Sequence, residues 1–291
     1  MRDIADLTAF IDLPTRTQPI IEALDRAVER RRICTLLGPS GSGKSGLTDH
    51  WLRTRLVKPF TSDEVVLVRL RPAGSIPVNC VLYSRIWYEI QKRNRPTYMP
   101  TSSLTDDDIK IYNERQLQSL HLRVLEHLEK LHIRAIVVDN AHLLDQLALE
   151  WTLDLRTYFD ERQGFLPRRA LILVGQAKAT ELRNNRLLRM MAENDEACAA
   201  WTERLEVATL TAPELAQVLG WLSLRNLRAI FAPDVNLQST ATELIQIVSG
   251  NWYHIARLAD ILDEELGSQR NGDKRVITRQ VLTRVKQRFS S

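Results

Sequence analysis

The chain has 291 residues, 44% of them apolar, with 40 basic and 36 acidic side chains and a formal net charge of +4. That composition can bury a full core and hold more than one domain, while a pI near 9.0 fits a polyanionic partner but is far too mild to establish one. With no apolar run of about eighteen residues, and a polar start at Met1-Arg2-Asp3, a soluble cytoplasmic protein without membrane attachment is expected. The three cysteines, Cys34, Cys80 and Cys198, are scattered and form no C-x-x-C pair, so neither a disulfide framework nor a zinc site is indicated.

In chain order, residues 14–31 read as a helix, with Pro19 suited to a first turn and Ile20, Ile21, Leu24 and Val28 on one stripe. Ile33 to Leu37 is a short apolar run of the kind a buried parallel strand needs. Gly38-Pro39-Ser40-Gly41-Ser42-Gly43-Lys44-Ser45 then matches G-x-x-x-x-G-K-[ST], and Leu47, Trp51 and Leu52 recur behind it at helical spacing. The chemistry requires that order. Small residues let backbone N–H groups curl around a polyphosphate, Lys44 can neutralise the outer phosphates, Ser45 can ligate Mg²⁺, and a helix N-terminus faces the anion. ATP or GTP is the expected ligand.

Val65 to Leu70 is a second β-rich run, and Pro77 to Gln91 reads as a helix. Residues 92–108, with two prolines, a basic cluster and an acidic cluster, read as an exposed loop. Leu117, Leu120, Val124, Leu128 and Leu131 space out a long amphipathic helix that feeds a third strand, Ala135 to Asp139. Leu171 to Val174 is a fourth strand and Leu205 to Ala208 a candidate fifth. Strands alternating with helices imply a parallel sheet covered on both faces. From Thr211-x-x-Glu214, a capping-box signature, only helices follow. The expected division is an N-terminal helical segment over 1–32, a nucleotide-binding core over 33–210 and a helical domain over 211–291.

The apolar third strand ending in Asp139 has the form of a Walker B element, whose carboxylate holds the Mg²⁺ shell through water. The following position carries glutamate in hydrolytic relatives; here it is Asn140, which cannot accept a proton. Asp145 and Glu150 are the nearest other carboxylates. Gln176, at the end of the fourth strand, is placed to reach a γ-phosphate or the attacking water.

The succession of P-loop, Val138-Asp139-Asn140-Ala141-His142, Leu173-Val174-Gly175-Gln176, a short Glu203-Arg204-Leu205 strand and Ser249-Gly250-Asn251-Trp252 before a helix resembles the AAA+ ATPases of the TniB/TnsC/ExeA group, with the phage protein MuB more distant. Phe10-Ile11 and Pro14, ahead of the first helix, are similar to that group's N-terminal segment. The resemblance implies a three-layer αβα core with a five-stranded parallel sheet and a small all-helical lid. It also implies ATP-dependent rings or filaments of like subunits around duplex DNA, and a transposase or other recombination partner licensed at that site. Arg204 falls where the group carries an arginine acting in trans on the neighbour's site, with Arg186 and Arg189 as alternatives. The lid arginine of the family is here Tyr253, and Arg257 one turn on is its candidate substitute. With Asn140, that makes two departures at hydrolysis positions beside an intact P-loop, so ATP binding is expected to outweigh turnover.

Group members contact DNA through the region after the second strand, which here holds Lys92, Arg93 and Arg95. The tail from Lys274 carries six basic residues and no acid, with apolar residues at helical spacing. It is expected to pack as a helix with a solvated basic face. The six histidines show no metal spacing.

Overall fold

The computed structural model describes residues 13–54, 62–72, 74–94, 109, 111–160, 164–177, 186–194, 202–267 and 275–290. Its chain falls into two compact units, one made of 18–38 and 51–206, the other of 1–17, 39–50 and 207–291. The residues just after the first strand group with the C-terminal helices.

The first unit contains the sheet. Five strands, β1 (Ile33–Gly38), β2 (Val65–Arg69), β3 (Ala135–Asp139), β6 (Ala170–Gln176) and β7 (Thr202–Glu206), run parallel in the order β2-β3-β6-β1-β7. Every residue of β1 and β3 is buried, and all of β6 except Gln176. Continuous apolar runs are what a strand covered on both faces requires. The covering helices are α1 (Pro14–Glu29), α3 (Val78–Asn94), α4 (Glu114–Lys130), α5 (Gln146–Asp154) and α6 (Arg186–Asn194). Leu82, Ile86, Val124 and Leu128 from α3 and α4 join Val66, Val138 and Leu173 of the sheet in one core, which fills one face of the αβα arrangement.

Three details differ from the sequence reading. The fifth strand starts three residues earlier, at Thr202, with its residues half-buried or exposed because β7 is an edge strand. Thr157–Asp160 (β4) and Gly164–Pro167 (β5) form an antiparallel pair that was not anticipated. Helix α3 continues to Asn94, so Lys92 and Arg93 stand on its last turn and not in a loop. Arg95 and most of 92–108 lie outside the described residues.

The second unit holds α7 (Ala212–Trp221), a single π-helical turn at Leu222–Asn226, α8 (Leu237–Val248), α9 (Trp252–Gly267) and α10 (Arg279–Ser290). Thr211 and Glu214 close the capping box anticipated from the sequence. Leu215, Leu219, Leu244, Leu258, Val281 and Val285 form its core. The expected all-helical lid carries in addition a parallel pair, β8 (Ala229–Phe231) with β9 (Arg275–Ile277). Three-residue strands leave no periodicity to detect. The basic tail packs in this unit, but its described cations are paired and not simply solvated: Arg275 with Asp263, Arg279 with Asp234, Arg284 with Glu265, Lys286 with Glu243, and Arg288 with Glu264 and Glu265.

Candidate nucleotide-binding site

β1 ends at Gly38, and the loop turns through Gly41 at φ 72° and Gly43 at φ 92° before α2 (Lys44–Thr54) begins. Both angles lie in the region that only glycine enters without strain. Space imposes the same choice: a Cβ on Gly41 would lie 2.0 Å from Asn251 Oδ1, and one on Gly43 would lie 2.6 Å from Trp252 Nε1. The Lys44 ammonium donates to the Pro39 carbonyl at 2.6 Å and to the Ser42 hydroxyl at 3.2 Å, so it is folded over the concave side of the loop. Ser45 is exposed on the first turn of α2. Beside the loop lies a cavity of about 40 Å³ walled by Leu13, Leu47, Val207 and Trp252, with Thr17 and His50 as polar lining. A P-loop with positive-φ glycines, an inward lysine and a helix start fits a polyphosphate bound through backbone N–H groups.

In the sheet-bearing unit, Asp139 is 3% exposed at the end of β3. Its Oδ1 accepts the Asn140 N–H at 2.9 Å, and Oδ2 lies 3.5 Å from Arg69 Nε. Asn140 takes left-handed backbone, φ 62° and ψ 34°, and its Nδ2 donates to the Leu70 carbonyl at 2.9 Å. The Leu70 N–H returns to the Asp139 carbonyl, also at 2.9 Å, which stitches the exits of β2 and β3 together. Asn140 is thus a connector between strand ends, with its amide already engaged. The other carboxylates considered are committed too. Asp145 caps α5 by accepting from the Ala148 N–H at 2.8 Å, and Glu150 accepts from Gln146. β6 lies between β1 and β3, and its exposed Gln176 stands in register with Gly38. The Gln176 N–H donates to His142 Nδ1 at 3.3 Å.

A model of the AAA domain (AAA_22) matches residues 26–183, more than half of the chain. The chain belongs to the AAA domain family. No curated protein matches it in sequence. Among solved structures it is similar to a Walker-type ATPase of Pyrococcus abyssi (15% identity, TM-score 0.53, covering 94% of this chain and 70% of that one). It is also similar to a chain of Drosophila ORC in its DNA-bound structure (12% identity, TM-score 0.58, 99% of this chain). The chain spans 65% of that ORC chain's length. At such identities these likenesses concern the fold, an AAA+ core with a mostly helical C-terminal region.

Arg186, Arg189, Arg204, Tyr253 and Arg257 lie outside the stretch that matches the AAA domain. Arg204 is exposed on edge strand β7, opposite Thr35, with no ion-pair partner among the described residues. Arg186 and Arg189 are exposed on α6. In the lid unit, Tyr253 is 54% exposed, and the Arg257 guanidinium sits 5.0 Å from the centre of the Phe289 ring, a cation–π contact within α9 and α10. The lid residues that touch the P-loop are instead Asn251 and Trp252, with Arg16 reaching it from α1. Gly250-Asn251-Trp252 was visible as a motif, but nothing in the sequence pairs Asn251 with Ser40 or Arg16 with Ser42. Lys92 is exposed, as a DNA contact requires. Arg93 is not: its Nη2 donates to the Val65 carbonyl at 2.6 Å, Nη1 is buried without a hydrogen-bond partner among the described residues, and burial lowers its pKa, opposed by Glu89 and Asp63. None of the helices among the described residues is long and apolar enough to cross a membrane.

Proposed function

We propose that this protein is an ATP-switched AAA+ regulator of the TniB/TnsC/ExeA type: with ATP bound it assembles with copies of itself on duplex DNA and recruits a transposase there. In this reading Gly38 to Ser45 would hold the nucleotide phosphates, while the Ser45 hydroxyl and, through water, the Asp139 carboxylate would hold a magnesium ion whose charge would offset that of the phosphates. Gln176 orients toward the γ-phosphate, and Arg204 acts in trans on a neighbouring copy. A cytoplasmic location goes with this role.

The observation that carries the preference for binding over hydrolysis is Asn140. The residue after the Walker B aspartate has no carboxylate, and its amide is spent on the Leu70 carbonyl. It is therefore poorly suited to aligning an attacking water. Loss of a positioned base typically costs about 10²–10⁴ in rate, although phosphoryl transfer leans more on positioning and charge. Hydrolysis is then slow or not measurable, and disassembly depends on a partner or on dilution in place of turnover.

A second reading, an ATP-gated switch that acts through protein contacts without DNA, is favoured by two specific observations. Arg93 is turned into the unit, and the tail cations are paired with acids of their own unit. Electron microscopy and salt-dependent DNA binding, each with ATP and with a non-hydrolysable analogue, separate the two. Nucleotide-dependent rings or filaments that form only with duplex DNA support the first; assembly indifferent to DNA removes it.

A further inference from the structure

Three consecutive P-loop carbonyls are held from outside the loop. Asn251 Nδ2 donates to the Ser40 carbonyl at 3.1 Å, the Trp252 N–H to the Gly41 carbonyl at 2.8 Å, and Arg16 Nη2 to the Ser42 carbonyl at 3.4 Å. In a planar trans peptide, the C=O of one residue and the N–H of the next point in opposite directions. Holding the Ser40, Gly41 and Ser42 oxygens on one side therefore aims the N–H groups of Gly41, Ser42 and Gly43 at the other side. The loop itself marks which side that is: the Ser42 N–H approaches the Pro39 carbonyl at 3.3 Å, and the Lys44 ammonium donates to the same oxygen. The pinned face is thus the back of the loop, and the N–H groups converge on the face that carries its cation, the arrangement of an anion-binding nest.

We infer that Asn251 and Arg16 are positioning residues for the phosphate site: they set the direction of the P-loop N–H groups without touching the nucleotide. This rests on the reading of the P-loop as a nucleotide site and extends it to the residues that shape it. Asn251 is tied down at both ends. Its Oδ1 caps α9 by accepting the Tyr253 N–H at 2.9 Å, which fixes the side-chain amide with Nδ2 toward Ser40. Arg16 is equally anchored. It donates to the carbonyls of Ala208 and Thr209 and pairs with Glu214 at 3.3 Å, the glutamate that closes the α7 capping box. Gly41 has no side chain in the space where Asn251 lies, and a methyl group there would expel it. The entry to the lid and the start of α9 are in this way bonded to the same loop that receives the phosphates, so a displaced lid loosens the nest.

Asn251→Ser separates positioning from folding. Serine still caps the helix, carries no charge, and is too short to reach Ser40. Its thermal unfolding temperature should stay close to wild type, while the Kd for MgATP in calorimetry rises by about tenfold, the scale of one lost hydrogen bond between well-placed groups. Arg16→Lys keeps the charge but cannot serve the spread of acceptors around Ser42, Ala208 and Glu214, and should weaken MgATP by a similar factor. Wild-type MgATP affinity in both variants would overturn the inference while leaving the nucleotide site standing. A wild-type protein that fails to bind MgATP at all would refute the nucleotide site itself, and the positioning role with it.

Discussion

Replacing Asn140 by glutamate restores on paper the carboxylate that hydrolytic relatives carry, but the structure sets a cost against the gain. Left-handed backbone at φ 62° suits asparagine far better than glutamate, a difference of about 1 kcal/mol. Leu70 is 1% exposed, and depriving its carbonyl of the Asn140 amide costs about another 1 kcal/mol. Asn140→Glu should therefore lose about 2 kcal/mol in urea unfolding, or roughly 4–8 °C in a domain of this size, while MgATP binding survives and turnover rises. Two companions apportion the loss. Asn140→Gly keeps the backbone region and gives up only the amide, about 1 kcal/mol; Asn140→Ala gives up both, about 2 kcal/mol. If Asn140→Glu were as stable as wild type, the connector role would be wrong. If wild-type protein showed fast turnover that Lys44→Ala abolished, the expectation of impaired hydrolysis would fall. A carboxylate such as Asp145 or Glu150 would then have to leave its present partner to act.

Lys44→Ala should abolish MgATP binding in calorimetry, and with it any nucleotide-dependent assembly, because the phosphates lose their point charge in the loop. Lys92→Ala should leave stability unchanged and lower the salt slope of DNA binding by roughly one unit per lost phosphate contact. Arg93→Ala should instead destabilise by about 1–2 kcal/mol through its lost bond to Val65, with little change in slope. Arg204→Ala should bind MgATP normally yet lower the turnover of mixed assemblies, as expected for a residue acting on a neighbour; unchanged turnover would return it to an ordinary surface arginine. Burial depresses the His121 pKa below its usual 6.5, with Asp154 opposing, and its Nδ1 meets the Tyr83 hydroxyl at 2.5 Å. The neutral ring is the folded form, so its contribution to stability is complete above the unfolded pKa and is lost as pH falls through the lowered folded one. Urea midpoints should drop below about pH 6.5, and His121→Gln should flatten that slope. Asp154, itself raised by burial, pulls the other way at lower pH.

The P-loop, the three central strands, the amphipathic helix over Glu114–Lys130 and the capping box at Thr211 were legible in the sequence because each is a local pattern. Burial on both faces writes an unbroken apolar run into β1, β3 and β6, and phosphate binding demands glycines and a lysine at close spacing. Where burial is one-sided or the element is short, as in β7 and the β8–β9 pair, the pattern thins and the reading slipped or failed. Other features belong to partners distant in the chain. Position 140 could be read as lacking a base, but the use of its amide depended on Leu70, seventy residues away. The tail reads as a helix with a solvated basic face because its acids, from Asp234 to Glu265, lie in other segments. Ser40 and Asn251 are separated by 211 positions, and only the folded chain puts that amide on the back of the P-loop. Local sequence specifies which backbone groups can meet a phosphate; tertiary contacts decide which way those groups point, because a peptide plane is turned by whatever holds its other end.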